Sequence, residues 1–436
     1  MIDNDDYKGL YEADAAGWIM AKCENWRDHY ESNYSEKFEE YYRLWRGIWA
    51  QEDSLRSSER SKLIAPALQQ AVESSVSEVE EATFGRGNFF DIRDDLQDQN
   101  KNDITVLKRQ LEEDFKRTQI RKNVSECILN SAVFGTGIAE LVVDEMKEMA
   151  PATRPIMDGA MQAVGVETRE RFVVKLKPVL PQNFLIDPVA TSIDDALGVA
   201  IDEFVPKHQV EILVEQGVYR DVPIDMAYPE VNIEPDQELT IYNDDKVRLT
   251  KYYGLVPRYL YNEAIRQDLG EDEDIAELVE DSPEDNQEGY IEVVAVIANG
   301  GQLLKIEENP YMMQDRPIVA FAWDVVPGRF WGRGICEKGY NSQKALDTEL
   351  RARIDALALT VHPMMAVDAS RLPRGAKMEI RPGKTVLTNG NPSEILQPFN
   401  FGQVSQVTFA QGKDLMQMVQ QATGAKIGRA SCRERV

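Results

Sequence analysis

Apolar residues that recur every three or four positions predict helices through the first third of the chain. Such a stripe lies within Ser35–Trp49, and its members are Phe38, Tyr41, Tyr42, Trp45, Ile48 and Trp49. An aromatic stripe of this kind is typical of a core or a subunit contact. The same periodicity predicts helices over Ser61–Ala82 and Asn100–Val133.

The pattern changes near Arg171, where residue composition typical of strands begins. Strands are predicted at Phe172–Leu180, Val247–Val256 and Ile291–Ile297. Asn299-Gly300-Gly301 then predicts a hairpin turn into a further strand. Residues 271–288 hold ten Asp and Glu in eighteen positions without the spacing of a calcium loop, so an exposed acidic loop is expected.

The last quarter predicts a helix, a small β-rich excursion and a returning helix. The first helix, Gly339–Val361, ends at His362-Pro363, because proline disfavours helix in the residue before it. It has an apolar face and an opposite face of polar and small residues. The apolar face consists of Leu346, Leu350, Ile354, Leu357 and Val361, and the opposite face of Asn341, Thr348, Ala352 and Asp355. The second helix is predicted at Val404–Thr423.

The net charge of the chain limits the kinds of partner that it can bind. The 436 residues hold 75 Asp and Glu against 49 Lys and Arg, a formal net charge of −26. A protein that holds nucleic acid through static phosphate contacts is normally basic, so any contact with DNA should be sliding or confined to local patches. With no signal peptide, no apolar run that could span a membrane and widely spaced cysteines, the sequence predicts a soluble, intracellular protein of two or three domains.

The last ten residues, 427–436, match the translation of a common sequencing adapter. We therefore expect them to be an artefact, and the authentic protein to continue past Lys426.

No constellation of residues predicts catalysis. The three histidines, His29, His208 and His362, lie in different segments and form no metal-ligand spacing. Gly383-Lys384-Thr385 lacks the earlier glycine of a phosphate-binding loop. Gly332-Arg333-Gly334 lacks the third glycine of the dinucleotide pattern, so a tight turn that needs permissive glycine torsions is expected there. The sequence predicts no catalytic, cofactor or metal site, and the protein is not expected to be an enzyme.

Four segments, in this order along about 380 residues, resemble the portal proteins (head–tail connectors) of tailed bacteriophages, especially the short-tailed kind. They are residues 41–47 with 60–66, residues 179–188 with 194–196, the set formed by 309–311, 316–319 and 327–334, and residues 418–424. The third set is the most specific, and it ends in Pro327-Gly328-Arg329-Phe330-Trp331-Gly332-Arg333-Gly334.

The resemblance implies an α+β, portal-like fold. It comprises a mostly helical part of a wing (1–170), a mixed α/β wing (171–335), two stem helices (336–362 and 403–426) and a β-rich clip between them (363–402). It also implies a ring, typically of twelve subunits, at the capsid vertex of the virion. Double-stranded DNA would pass through the ring without sequence specificity during packaging and ejection.

The implied partners are further copies of the chain, the terminase large subunit, a head–tail adaptor and the capsid or scaffolding protein, with assembly in the host cytoplasm and no membrane. The polar stem face would line the channel, and the apolar face would pack between subunits. The clip is locally basic, which predicts that it docks an acidic partner surface or a neighbouring clip through Arg371, Arg374, Lys377, Arg381 and Lys384. Two other classes remain open: a different head–tail structural protein, and a metal-dependent nuclease assembled from scattered acids.

Overall fold

A computed structural model describes residues 14–49, 60–85, 90, 92, 101–155, 161–222, 246–269, 289–361, 364–367, 396–399 and 406–424. The chain divides into two compact units. One contains residues 1–39 and 75–337, and the other contains residues 40–74 and 338–436. The fold is mixed α+β with antiparallel sheets, as the sequence predicts.

The N-terminal elements are helical. Helix α1 (Ala15–Tyr30) continues through a π-helical turn (Glu31–Ser35) into α2 (Glu36–Arg46). Helices α3 (Ala67–Phe84), α4 (Lys101–Arg117) and α5 (Ile120–Phe134) follow. The single helical stretch predicted over Asn100–Val133 is thus two helices, which are separated at Gln119, a residue in the left-handed conformation (φ 53°).

Strands begin much earlier than predicted. Strand β1 (Thr136–Pro155) pairs antiparallel with β2 (Met161–Val179), so the change from helix to strand lies at Thr136 and not near Arg171. The segment Asp144–Ala150 is rich in Glu, Met and Lys, which favour helices. Its pairing with β2 overrides that local preference. A short strand, β8 (Ile318–Ala322), completes this three-stranded sheet on the other side of β1.

The second sheet has five strands in chain order, each antiparallel to the next. They are β3 (Phe184–Ile186), β4 (Gly198–Pro206), β5 (Lys246–Pro257), β6 (Tyr290–Ala298) and β7 (Gln302–Glu308). Helix α6 (Lys207–Glu215) follows β4, and α7 (Arg258–Leu269) follows β5. The hairpin predicted at Asn299-Gly300-Gly301 is confirmed, with positive φ at Asn299 (44°) and Gly300 (83°).

Apolar side chains cover both faces of the five-stranded sheet. On one face, α1 and α7 pack through Ile19, Cys23 and Leu260 against Tyr252 and Ile297. On the other face, Val210 of α6 packs with Val247, Leu249, Val296 and Leu304. The alternation of β6 residues between these cores explains why this strand is apolar without interruption from Val293 to Ala298.

The second unit contains most of the long helix α8 (Ile335–Val361), strand β9 (Met364–Val367), strand β10 (Leu396–Phe399) and helix α9 (Gln406–Thr423). Strands β9 and β10 pair antiparallel. The predicted order of helix, β-rich excursion and returning helix is therefore present. The acidic run 271–288, most of the clip and residues 427–436 lie outside the described residues.

Candidate functional site

Helices α8 and α9 form an antiparallel pair in the second unit. Leu346 and Val419 are buried together with Ala65 and Ala67, and Leu350 and Leu415 pack at the edge of this core. At one end, a Cβ on Gly339 would come within 3.1 Å of the Thr423 side chain. Towards the other end, Arg353 donates a hydrogen bond to the carbonyl oxygen of Thr408 and lies 4.7 Å from the ring centroid of Phe409.

An extended segment, residues 61–66, lies along α8 and is held by the side chains of that helix. We call this segment the strap. The backbone N–H of Ser61 donates to Asp355 Oδ1 at 2.7 Å, and Arg351 Nε donates to the carbonyl oxygen of Leu63 at 2.7 Å. Asp347 Oδ1 accepts from the N–H of Ala65 at 2.8 Å.

Gln343 completes this ladder at the end where α3 begins. Its Nε2 donates to the carbonyl oxygen of Ala65 at 2.7 Å and to Asp347 Oδ1 at 3.0 Å. Its Oε1 accepts from the N–H of Leu68 in the first turn of α3 at 3.2 Å. Apart from the bond to Leu68 of α3 and the bond between Gln343 and Asp347, the hydrogen bonds of the ladder satisfy backbone groups of the strap, which has no regular secondary structure of its own.

The hydrogen bonds of the ladder can form because the spacing of alternate strap residues nearly equals the spacing of one helical turn of α8. Strap residues 61, 63 and 65 alternate as in a strand, with about 6.6 Å between positions two apart. The helix residues 347, 351 and 355 are separated by one turn, about 6.0 Å. The side chains of α8 thus bind one edge of the strap. Their spacing is close to the spacing of the backbone hydrogen bonds that a neighbouring strand would make.

Burial governs the electrostatics of the ladder. Gln343, Asp347 and Arg351 are all buried. Burial raises the pKa of the Asp347 carboxyl, and the hydrogen bond from the Ala65 amide partly offsets that increase.

The sequence analysis did not single out Gln343, Asp347 or Arg351. At about 100° per residue, Asp347 and Arg351 fall on the flank between the predicted apolar and polar faces, and Gln343 falls on the apolar face itself, at the same angle as Val361. The sequence does contain one signal, since polar side chains recur every four residues beside the apolar face. Most polar stripes of this kind face solvent, so the recurrence alone would not have identified a bound segment.

The structure divides the predicted polar face. Asn341, Thr348 and Ala352 are exposed. Asp355 differs from these three. It is half-buried, and its carboxylate accepts a hydrogen bond from the N–H of Ser61. Whether this face lines a channel stays a prediction.

The predicted apolar face is also divided. Leu346 is buried within the unit and Leu350 is half-buried against the same core. Ile354 and Leu357, at 39% and 40% exposure, remain accessible. The side chain of Val361 lies outside the described residues, as do Arg371, Arg374, Lys377, Arg381 and Lys384 of the clip.

A groove of about 460 Å³ runs between α8 and α9, with Lys344, Thr348, Ala352, Gln411 and Leu415 in its wall. Arg353 approaches α9 closely at Gly412, where a Cβ would lie 2.7 Å from its Nη2. The glycine thereby leaves room for the guanidinium between the helices.

In the first unit, Arg316 joins two of the segments that carry the family resemblance. Its side chain is 6% exposed, and its Nε lies 2.7 Å from Glu292 Oε1. Its Nη1 donates to the carbonyl oxygens of Ile193 at 2.5 Å and Ala196 at 2.9 Å. The Arg316 side chain therefore links the segment around residue 316 to the segment around residues 194–196 through hydrogen bonds.

The glycines of Gly332-Arg333-Gly334 serve close backbone packing. A Cβ on Gly332 would lie 2.5 Å from the carbonyl oxygen of Gly135, and one on Gly135 would lie 2.2 Å from that of Gly332. The N–H of Gly332 also donates to Thr136 Oγ1 at 2.8 Å. The sequence analysis expected a turn with permissive torsions, but neither Gly332 nor Gly334 has a positive φ. Their counterpart is Gly135, in the turn from α5 to β1, which no sequence pattern indicated.

The neighbouring Trp331 belongs to an aromatic cluster. Its ring centroid lies 5.4 Å from that of Phe38 and 5.8 Å from those of Tyr30 and Tyr34. A cavity of about 30 Å³ beside this cluster has room for about one water molecule. The prediction that the aromatic stripe contributes to a core is confirmed for Phe38 and Tyr41 of α2, which are buried, whereas Trp49 is 52% exposed.

The described cysteines are poorly suited to nucleophilic chemistry. Burial raises the pKa of Cys127 to about 11, and it also raises those of Cys23 and Cys336. These thiols stay protonated near neutral pH.

Neither a metal-binding group nor a membrane-spanning helix occurs among the described residues. No group of three or more His, Cys, Asp or Glu side chains could hold a metal ion there. No helix in this part of the chain is long and apolar enough to cross a membrane.

Part of the chain is similar to a family of known proteins. The family model described as "Phage SU10 portal protein" matches residues 282–431, about a third of the chain. This range contains the last two sets of segments that carry the resemblance, together with β6–β8, α8, the clip and α9. The match supports a phage portal protein, as the sequence predicts. It extends past Lys426, and the origin of residues 427–436 stays a prediction. No curated protein matches the chain.

Proposed function

We propose that this chain is the subunit of a phage portal ring, built from about twelve copies around a channel for double-stranded DNA. The observation that carries the proposal is the antiparallel pair α8 and α9 with β9 and β10 between them, inside the range that matches the portal family. Portal proteins are structural and non-enzymatic, so the proposed role is mechanical. The proposed location is the capsid vertex of the virion, after assembly in the host cytoplasm.

In this proposal α8 and α9 are the stem helices and residues 363–402 are the clip. Residues 1–170 and 171–335 form the wing. The ladder of Gln343, Asp347, Arg351 and Asp355 fixes the strap to the first stem helix. The surface between subunits uses Ile354 and Leu357, the members of the apolar face that are exposed in a single copy.

Charge favours a channel in which DNA slides. With a net charge of −26, the chain repels a polyanion over most of its surface. We propose that Asn341, Thr348 and Ala352 face the channel. These side chains are uncharged, so they offer no cation that would hold a phosphate.

The proposed partners of the clip are the terminase large subunit during packaging and a head–tail adaptor afterwards. Both would contact the basic residues Arg371, Arg374, Lys377, Arg381 and Lys384. The capsid or scaffolding protein would contact the wing. Charge reversal at Arg371 and Arg374 should weaken binding of the motor or the adaptor, and unchanged binding would contradict the docking role.

Electron microscopy of the purified chain tests the ring directly. The proposal expects projections with rotational symmetry and a central hole. Particles without a hole, or open filaments, would contradict it. The nuclease alternative predicts DNA cleavage that requires a divalent metal and stops on addition of a chelator. The other alternative, a different head–tail structural protein, predicts particles that bind phage head or tail proteins but form no closed ring.

A further inference from the structure

One face of the three-stranded sheet is apolar and yet exposed. The pairing of β1 with β2 and β8 places five large apolar side chains on this face, because directly opposite residues share a face and so do residues two apart along a strand. Each of the five is between 42% and 72% exposed. They are Val143 of β1, Phe172 and Val174 of β2, and Val319 and Phe321 of β8. We call these five residues the apolar sheet face.

Such exposure is unusual for an antiparallel sheet. When one face of the sheet packs on a core, the solvated face normally carries polar residues. Here the opposite face is packed, since Ile138, Val173 and Ile318 are buried. Helix α5 covers only part of the apolar sheet face, near Gly137, where a Cβ would lie 2.4 Å from the carbonyl oxygen of Cys127. A contiguous exposed apolar surface of this kind marks an interaction site.

The sheet also narrows where three of these side chains lie. Strand β8 pairs with β1 only as far as Glu140, whereas the pairing of β1 with β2 continues to Pro155 and Met161. We call this two-stranded continuation, which begins at Leu141, the ribbon. Among the described strands, none pairs with either outer edge of the ribbon. Two antiparallel strands alone are at best marginally stable in water, so the ribbon requires a surface to pack against.

The charge of the ribbon indicates the kind of surface. Residues 141–179 contain six acidic and six basic residues, so the rest of the chain carries the whole net charge of −26. In the register, Lys147 stands opposite Glu170 and Glu148 stands opposite Arg169. Two copies of the chain repel each other over most of their surface, but the ribbon adds nothing to that repulsion. Nucleic acid is held by clusters of basic residues, which a segment with as many acids as bases does not present.

We propose that the apolar sheet face packs against a neighbouring copy of this chain. The inference rests on the proposed portal ring, and it adds a contact within the wing to the contact proposed for the stem helices. In a ring built from one repeated head-to-tail contact, each copy uses two different surfaces. The apolar sheet face is one of them, and it covers a different surface of the next copy.

Photo-cross-linking identifies what covers this face. Replacement of Phe172 by p-benzoylphenylalanine keeps an aromatic ring and should, on irradiation of the assembled protein, join two chains into a covalent dimer. The same replacement at Val189, which lies in a turn after β3 and is 86% exposed, controls for random collision and should give little dimer. Cross-links within a single chain would assign the face to another segment of the same copy and overturn the proposal. Equal yields of dimer at the two positions would also overturn it.

A double variant tests the contribution of the face to assembly. Phe172→Thr with Val174→Thr keeps residues at both positions that favour strands, and both side chains are at least half exposed, so circular dichroism and melting temperature should stay at the wild-type values. The protein concentration at which half of the chain is assembled should rise by at least about tenfold, because two apolar side chains no longer leave water on assembly. An unchanged concentration would overturn the proposal.

The matched control changes two exposed valines outside the sheet. Val189→Thr with Val325→Thr, at residues that are 86% and 80% exposed, removes a comparable apolar surface from two loops. It should leave the concentration for half assembly near the wild-type value. An increase as large as that of the sheet variant would show a general effect of surface polarity and overturn the specific role of the apolar sheet face.

Native mass measured on the same samples separates this proposal from the proposed function. Rings that form without covalent dimers through position 172 would overturn the apolar sheet face as a contact and leave the portal assignment in place. Covalent dimers in a chain that never closes into rings would support the contact and contradict the portal assignment. A chain that stays monomeric at high concentration would contradict both.

Discussion

At the scale of single residues, Arg316 is the side chain whose loss should cost most. It is buried, is paired with Glu292 and donates to backbone carbonyls of the loop around residue 194. We expect Arg316→Met to lower the free energy of unfolding by about 3–5 kcal/mol, because it leaves a buried carboxylate and carbonyl groups without a donor. Chemical denaturation measures this loss.

The control for Arg316 is an ion pair on the surface. Arg109 and Glu113 lie 3.5 Å apart on α4, with side chains 82% and 50% exposed. Arg109→Met should change the free energy of unfolding by less than about 1 kcal/mol. Similar losses for the two variants would show that the buried cluster around Arg316 is not a special determinant of stability.

Asp347 gives a prediction for pH. Burial raises its pKa in the folded protein above the ordinary value near 3.9. Between that value and the raised pKa, the folded state binds more protons than the unfolded state. The contribution of this residue to stability therefore falls as pH rises through this window.

Asp347→Asn should remove this dependence, because the amide does not titrate. Its oxygen can still accept from the N–H of Ala65, so the fold should persist. The measurement is the free energy of unfolding of both proteins at several pH values above 3.9. A difference between them that stays constant with pH would contradict the prediction.

At the scale of elements, the close approach at Gly332 should tolerate no side chain. A Cβ there would meet a backbone oxygen at 2.5 Å, and the backbone cannot move aside cheaply. Gly332→Ala should cost about 3 kcal/mol or more through overpacking. Gly412→Ala is the matched control, since its Cβ would meet only the end of the Arg353 side chain and alanine favours helix.

Thermal unfolding of the two glycine variants tests this difference. The melting temperature should fall clearly for Gly332→Ala and stay near the wild-type value for Gly412→Ala. Equal decreases would show that the junction between Gly135 and Gly332 is no tighter in solution than the packing of α8 on α9.

Elements fixed by local chemistry could be predicted from the sequence, and elements fixed by distant partners could not. The turn at Asn299 and Gly300 was predictable because these residues tolerate the positive φ that it requires. The end of α8 was predictable from Pro363. Strand β1 was not, since only its pairing with β2 overrides the helix-favouring residues at Asp144–Ala150. The strap was not predictable either, because its hydrogen bonds join residues nearly 300 positions apart.

The stem surface gives a prediction for cysteine labelling. Thr348→Cys should react with a maleimide both in the ring and in the dissociated chain. Ile354→Cys should react only in the dissociated chain, because the neighbouring copy covers it in the ring. The buried native cysteines give little background, and Cys432→Ser removes the fourth cysteine. Equal labelling of the two positions in the ring would contradict the proposed subunit surface.

At the scale of the whole molecule, two features support the proposed ring. A family match covers α8, residues 363–402 and α9, and a net charge of −26 disfavours contact with DNA over most of the surface. Copies of so acidic a chain repel one another, so a ring must be held by apolar contacts and should be strengthened when salt screens the repulsion. A single repeated contact of this kind closes into a ring only when the rotation between neighbours fits.

The most direct test of the account is the native mass of the purified chain at low and at moderate salt. We expect one closed species of about twelve times the protomer mass, more abundant at the higher salt concentration. A chain that remains monomeric or dimeric at every salt concentration and at high protein concentration would contradict it.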